Sequence, residues 1–174
     1  MASALILVNG LPGAGKTTLA EQMKEASGWP LLSKDAVKEA LALIADGAMS
    51  SGQLGAVAMN TVWAMAAAIE GEVIVESWWF RPRDLDFART GVEAAGAAQV
   101  VEVWCEVTAA VARERYASRH RAAVHDDGAR LVTDFDRWAA EGVPLEIGSV
   151  LRVDTGGPVN VGELVARLRE AVSL

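Results

Sequence analysis

Eight consecutive residues near the start of the chain have the types and spacing needed to hold a phosphate group. They read Gly10-Leu11-Pro12-Gly13-Ala14-Gly15-Lys16-Thr17 and match the pattern GxxxxGK[ST] in full. Gly13 and Gly15 allow backbone N–H groups to point at phosphate oxygens, and a helix beginning at Lys16 would direct the positive end of its dipole toward them. The Lys16 ammonium can reach the β- and γ-phosphates, and the Thr17 hydroxyl can ligate Mg²⁺. The pattern predicts a nucleotide-binding P-loop.

We expect this loop to bind ATP with Mg²⁺ in preference to GTP, because no guanine-reading NKxD follows any asparagine of the chain and the one DxxG, at 154–157, comes too late. An AAA-type motor domain needs more residues than the chain has, which leaves a small kinase. We also expect Lys16 to be exposed to the phosphates rather than packed. The predicted nucleotide contacts are Gly10, Pro12, Gly13, Ala14, Gly15, Lys16, Thr17 and Thr18.

The elements that position this loop alternate along the chain. Short apolar runs predict strands at 5–9, 30–33, 73–76, 100–107 and 150–153. Helical spacing predicts helices at 16–26, 35–45, 53–70, 83–95, 108–121 and 161–172, and the polar stretch 125–132 predicts a loop. Strands separated by helices favour a parallel sheet with right-handed crossovers.

Two acidic residues stand where strands end. Glu76 closes the apolar run 73–75, where Walker-B proteins place an acid that holds Mg²⁺, so Thr17 and Glu76 are the predicted metal residues. The alternative is a strand-end glutamate in solvent. Asp35 follows the second strand at the edge that faces the ligand crevice of such sheets, where it could accept the proton of an attacking hydroxyl. From spacing alone it could equally complement a helix N-terminus.

Basic residues concentrate in one segment of an otherwise acidic chain. Arg113, Arg115, Arg119 and Arg121 fall within nine residues that contain one acid, Glu114. Together with His120 and His125 they predict a lid, at about 115–132, that closes over the transferring phosphate, where guanidinium groups stabilise negative charge. We expect Arg115 and Arg119 to act mainly in the transition state. A solvated basic helix face is the alternative.

An aromatic segment directly follows Glu76. It reads Trp78-Trp79-Phe80-Arg81-Pro82-Arg83 and could wall a pocket for a phosphate acceptor, with Arg81 or Arg83 recognising an anionic or polyhydroxy group. Two of the three rings could instead belong to the core. The predicted substrate residues are Asp35, Trp78, Trp79 and Arg81.

Composition limits the class of protein. The chain has 174 residues, 52% of them hydrophobic and 22% charged, which predicts a single globular domain over 1–174. A net charge of −7 argues against nucleic acid as a partner. The lone Cys105 excludes an internal disulfide and suits a reducing cytoplasm. The longest apolar stretch, 55–69, is too short for a membrane span.

Taken together, several segments resemble the small P-loop kinases of the zeta-toxin and chloramphenicol-phosphotransferase-like group. The matching segments, in order, are 10–17, 33–35, 73–77, the lid residues Arg115, Tyr116 and Arg119, and 153–155. The resemblance implies an α/β nucleoside-kinase-like fold with strand order 2-3-1-4-5, ATP and Mg²⁺ as donor, and an aspartate base at Asp35. It also implies that Arg115, Arg119 and the segment 154–157 lie around the phosphates and the adenine.

These observations predict an ATP-dependent phosphotransferase that acts on a hydroxyl of a metabolite, sugar or antibiotic. The predicted catalytic residues are Asp35, Lys16, Arg115 and Arg119. A nucleic-acid end kinase is one alternative, although acidic residues outnumber basic ones in both 1–72 and 131–174. A non-catalytic ATP-binding module is another, although binding alone would not need an acid at 35 and lid arginines.

Overall fold

The computed structural model describes residues 2–119, 123–125 and 127–173 of the chain. The strands are β1 (Ala2–Gly10), β2 (Leu31–Ser33), β3 (Gly71–Glu76), β4 (Gln99–Glu106) and β5 (Ser149–Asp154). The helices are α1 (Lys16–Ser27), α2 (Lys34–Ala45), α3 (Ser51–Ala68), α4 (Arg81–Ala95), α5 (Ala109–Ala117), α6 (Asp127–Thr133), α7 (Phe135–Glu141) and α8 (Val161–Ala171), with a 3-10 turn at Ala123–His125.

The five strands form one parallel sheet in the order β2-β3-β1-β4-β5. This is the predicted fold class and the predicted strand order. β1 lies at the centre, where Val8 pairs with Glu76 of β3 and Gly10 pairs with Cys105 of β4. Because the carboxyl ends of parallel strands share one edge, the register brings the P-loop beside the ends of β3 and β4.

The centre of the sheet is buried on both faces. Ile6 and Val8 of β1 belong to a core cluster that includes helices α1, α5 and α8, whereas Leu5 and Leu7 belong to a second cluster with α3 and α4. Successive side chains of a strand point to opposite faces, so a continuous apolar run fills both cores. The P-loop therefore rests on a rigid strand.

The chain after β4 departs from the sequence prediction. The stretch 125–132 was predicted as a loop, but Asp127–Thr133 is a helix, and α7, which was not predicted, follows it. Helix α5 ends at Ala117, short of the predicted residue 121. Tertiary packing holds α7 in place, because Phe135 stacks on Tyr116 with ring centroids 6.1 Å apart.

Helix α3 is the longest and the most apolar of the helices. It begins at a capping box in which Ser50 and Gln53 satisfy each other's backbone N–H groups. One face packs on the sheet, and the other carries glycine and alanine toward the crevice. No helix in the described ranges combines the length and the hydropathy that crossing a bilayer requires.

Candidate functional site

The P-loop is held by backbone contacts that only glycine permits. Gly10, Gly13 and Gly15 all have positive φ, at 143°, 87° and 86°. A Cβ on Gly13 would overlap the backbone carbonyl of Ala112 in α5, and a Cβ on Gly10 would overlap that of Cys105 in β4. Any side chain at these two positions would push the loop off its support.

Lys16 is buried, contrary to the sequence prediction that it is exposed rather than packed. The side chain is 7% exposed, and its ammonium donates to the carbonyl oxygens of Gly10 at 2.9 Å and Leu11 at 3.0 Å. The ammonium thereby ties the side chain of Lys16 back to the start of the loop, where the Leu11 carbonyl also accepts from the N–H group of Ala14 at 2.9 Å. Burial lowers the pKa of Lys16, and the nearby Glu76 carboxylate opposes that shift.

A cavity of about 190 Å³ opens above the loop. Five predicted phosphate contacts and both lid arginines line it: Gly13, Gly15, Lys16, Thr17, Thr18, Arg115 and Arg119. Three other predicted contacts lie elsewhere. Pro12 lines the adjoining cavity, the Gly10 carbonyl faces Lys16, and the Ala14 carbonyl accepts a hydrogen bond from Thr155 Oγ1 at 2.6 Å.

The hydroxyl oxygen of Thr17 and a carboxylate oxygen of Glu76, both of a type that suits a hard cation, lie together beside this cavity. Thr17 Oγ1 donates to Glu76 Oε1 at 3.3 Å, and Ser33 Oγ donates to Glu76 Oε2 at 2.7 Å. Glu76 is 2% exposed, so it is not a strand-end acid in solvent. In the described part of the chain, no group of three or more His, Cys, Asp and Glu side chains could hold a metal. Thr17 and Glu76 therefore fit Mg²⁺ that arrives with phosphate oxygens and water as its other ligands.

The two lid arginines differ in their partners. Arg115 donates to the carbonyl oxygens of Thr155 at 3.0 Å and Gly156 at 3.2 Å, and so joins α5 to the loop after β5. The guanidinium of Arg119 has no hydrogen-bond or ion-pair partner among the residues described. Its guanidinium lines the phosphate cavity and the next one. Arg119 is thus available to an anion, whereas Arg115 is already engaged.

The loop after β5 borders a separate cavity of about 320 Å³ on the outer side of the P-loop. The Thr155 hydroxyl anchors that loop through the Ala14 carbonyl. This is where the resemblance places the adenine. The cavity is lined by Gly15, Thr18, Leu19, Gln22, Arg115, Thr155, Gly157, Pro158 and Val159.

Asp35 lies on the opposite side of the P-loop. It lines a small cavity of about 90 Å³ together with Lys16, Glu76 and Arg119. Asp35 lies in the first turn of α2, whose N-cap residue Ser33 makes no side-chain cap hydrogen bond. Lys34 Nζ lies 3.4 Å and His125 Nδ1 lies 3.8 Å from Asp35 Oδ1. The structure thus brings the predicted base, the P-loop lysine and a lid arginine to one cavity.

The lid is docked onto α2 and α3 through its 3-10 turn. His125 is 6% exposed, and its Nε2 lies 2.7 Å from Glu39 Oε1. Lys38 Nζ donates to the Val124 carbonyl at 2.9 Å, and Ser51 Oγ donates to the same oxygen at 2.7 Å. The predicted lid residues His120 and Arg121 lie outside the described residues.

The aromatic segment is divided between core and crevice. Trp79 is 2% exposed and stacks on Trp63 at 6.1 Å, so it mainly packs. Trp78 is half-buried, with its ring 5.8 Å from Lys16 Nζ. Arg81 turns away and pairs with Glu146 at 2.6 Å, and it is Arg83, the other arginine considered, that reaches the crevice. Residue 81 begins a helix, and the helical turn sends the side chains at 81 and 83 in different directions.

One buried polar pair supports the site and was not predicted from sequence. Asn9 Nδ2 donates to Glu102 Oε1 at 2.9 Å, and Asn9 Oδ1 accepts from the N–H groups of Gly10 and Trp79. Glu102, 1% exposed, also accepts from the N–H groups of Leu145 and Glu146. The pair fixes the P-loop relative to the aromatic segment. The signal in the sequence was the presence of Asn9 and Glu102 within two mainly apolar strands.

The fold and the site define a P-loop protein of the type shared by small kinases. A family model described as "AAA domain" matches residues 5–135, and the chain belongs to that family. No protein of curated function matches the chain significantly.

Three solved structures show how widely this fold is shared. A candidate kinase from Chloroflexus aurantiacus is 27% identical, with a TM-score of 0.75 and 97% of each chain covered. A gluconokinase from Sinorhizobium meliloti is 20% identical, with a TM-score of 0.60, 98% of this chain and 92% of that chain covered. A tunicamycin resistance protein from Deinococcus radiodurans is 18% identical, with a TM-score of 0.58, 99% of this chain and 96% of that chain covered. The predicted resemblance to small P-loop kinases is confirmed.

Proposed function

We propose that the protein is an ATP-dependent phosphotransferase that moves the γ-phosphoryl group to a hydroxyl of a small molecule, with Asp35 as general base. The observation that carries the proposal is the cavity shared by Asp35, Lys16, Glu76 and Arg119. A carboxylate beside the P-loop lysine is more than nucleotide binding requires. The similarity over 97% of both chains to a candidate kinase supports the same reaction class.

In the proposed reaction, the acceptor oxygen forms a bond to the γ-phosphorus and its proton passes to the Asp35 carboxylate. The bond from the γ-phosphorus to the bridging oxygen breaks, and ADP leaves with that electron pair. Lys16 and Arg119 supply positive charge where negative charge builds up on the transferring group. Thr17 and Glu76 would hold Mg²⁺, which neutralises part of the phosphate charge when it is bound with ATP.

The acceptor side of the cavity favours a small molecule over a polymer. The 3-10 turn of the lid is tied to α2 and α3 by Lys38 and Ser51, which narrows the entrance. The net charge of −7 also opposes a polynucleotide. A cytoplasmic protein acting on a soluble metabolite, sugar or antibiotic fits these features.

A transfer screen tests the proposal. The protein is incubated with γ-labelled ATP, Mg²⁺ and separate pools of metabolites, sugars, aminoglycosides and oligonucleotides. We expect label in a small-molecule pool, and we expect Asp35→Asn to retain ATP binding while its transfer rate falls by about 10²–10⁴-fold, as for a lost general base. Asp46→Asn, at the end of the same helix, is the matched control and should transfer normally.

Each other outcome is informative. Unchanged transfer by Asp35→Asn would remove Asp35 from the mechanism. Label confined to oligonucleotides would favour an end kinase, and ATP binding without label in any pool would favour a non-catalytic nucleotide-binding module.

A further inference from the structure

A second, larger cavity adjoins the one that holds Asp35. Its volume is about 370 Å³, within the range of sites that bind small molecules. Helices α2 and α3 and the start of α4 form its walls, and small residues of α3 (Gly52, Gly55 and Ala56) leave the space open. The two cavities are neighbours and share five described lining residues: Lys34, Lys38, Trp78, Arg83 and Arg130.

Most of the described charged side chains that line this larger cavity are positively charged. Among the described residues, four cationic side chains line it, Lys34, Lys38, Arg83 and Arg130, together with one acid, Asp84. The chain as a whole carries −7, so the local excess of positive charge runs against its overall composition. A cavity with low-dielectric walls and charges of one sign concentrates ligands of the opposite sign.

Two of these cations already have a carboxylate partner, because Lys34 pairs with Asp35 at 3.4 Å and Arg83 pairs with Asp84 at 2.6 Å. Asp84 accepts from Arg83 through Nε at 2.6 Å and Nη2 at 2.7 Å, and it also accepts from the N–H group of Phe80. Arg83 Nη1 is not used in this contact. The guanidinium of Arg130, on α6, has no hydrogen-bond or ion-pair partner in the described part of the chain. Its fork of N–H donors is suited to a carboxylate or phosphate.

The remaining walls select for a compact ligand. Met59, Trp78, Trp79 and Phe87 supply apolar surface opposite the cations. A cationic antibiotic would be repelled from this site, and a neutral sugar would leave the guanidinium of Arg130 without an anion. An acid whose carbon skeleton lies on the rings would satisfy both sides of the cavity.

We propose that this cavity binds the acceptor through an anionic group, so that the acceptor is a small hydroxylated carboxylate or phosphate ester, held by Arg83 and Arg130 with a hydroxyl toward Asp35. The identification of this ligand as the phosphate acceptor rests on the proposed phosphotransferase function. The anion site itself rests on the geometry and charge of the cavity.

The test is a binding titration with four hexose-derived probes of similar size. Calorimetry is performed on the full chain saturated with ADP and Mg²⁺, which occupies the P-loop. The probes are gluconate (a carboxylate), glucose 6-phosphate (a phosphate ester), glucitol (neutral) and glucosamine (cationic). We expect at least one anion to bind about tenfold or more tightly than glucitol, and glucosamine to bind most weakly. Comparing gluconate with glucose 6-phosphate distinguishes the two anion classes.

Two variants then test whether Arg83 and Arg130 cause the preference for anions. Arg130→Gln and Arg83→Gln should each reduce the anion preference severalfold, whereas Arg89→Gln, on α4 outside the cavity, should keep it. If neither anion binds more tightly than glucitol, or if the preference persists in both variants, the inference is wrong. Because this readout needs no transfer, anion binding without phosphorylation would contradict the proposed function alone, and transfer to neutral or cationic hydroxyls would contradict the anion site alone.

Discussion

Thr17 Oγ1 donates to Glu76 Oε1 across 3.3 Å, which joins the first turn of the P-loop helix to the end of the neighbouring strand. Ser33 holds the other carboxylate oxygen at 2.7 Å. Both carboxylate oxygens of this buried acid therefore accept from hydroxyl groups beside the P-loop. This arrangement supports the proposal that Glu76 and Thr17 hold Mg²⁺.

We expect Glu76→Gln to raise the Mg²⁺ concentration needed for half-maximal transfer by about tenfold or more, since an amide oxygen attracts a hard cation less than a carboxylate does. The measurement is a Mg²⁺ titration of initial rates at saturating ATP. Glu72→Gln, on the same strand but at its far end, is the control. An unchanged Mg²⁺ requirement in Glu76→Gln would show that Glu76 serves only as a hydrogen-bond acceptor for Thr17 and Ser33.

Substitutions of the two lid arginines should affect different kinetic constants. The Arg119 guanidinium is available to negative charge that develops in the transition state, whereas Arg115 holds the loop after β5. We expect Arg119→Ala to lower kcat by about 10²–10³-fold with a small change in KM for ATP. We expect Arg115→Ala chiefly to raise KM for ATP. Steady-state kinetics measures both, with Arg113→Gln on the same helix as control. Equal loss of kcat in both variants would support the sequence prediction that the two act alike.

The buried Glu102 should matter for stability rather than for chemistry. Replacement by glutamine turns an amide group toward the N–H donors of Leu145 and Glu146, and we expect a loss of about 1–3 kcal/mol in the free energy of unfolding. Urea denaturation followed by tryptophan fluorescence measures it. Glu106→Gln, at the exposed end of the same strand, should stay near wild type. A stability equal to wild type in Glu102→Gln would mean that the network relaxes without cost.

Cys105 should be inert in the folded protein. Burial raises the pKa of its thiol to about 12. Only about one thiol in 10⁴ is then ionised at pH 8, and the thiolate is the reactive form. We expect Ellman's reagent to label the native chain at least about 10²-fold more slowly than the chain in urea. Ser173→Cys, at an exposed position, supplies a reactive thiol for comparison, and rapid labelling of native Cys105 would show that the region around the P-loop opens readily.

The P-loop and the parallel sheet could be predicted from local patterns, because apolar runs of strand length and the spacing of glycines and Lys16 constrain the backbone directly. The strand order was implied by the resemblance to small P-loop kinases, and the structure confirms it. The sequence also predicted the acids at 35 and 76 and a pocket beside the aromatic segment. Parallel strands place their carboxyl ends at one edge, so residues distant in sequence were expected to meet there.

The burial of Lys16, the turn of Arg81 toward Glu146 and the helix over 127–133 could not be predicted from the sequence. The same holds for the contribution of Arg130 to the crevice and for the support of the P-loop by Asn9 and Glu102. Each depends on partners many residues away: the direction of a long side chain and the folding of a polar segment are set by the charges and rings that pack against it. Local propensity does not depend on those distant neighbours, and packing in three dimensions overrides it.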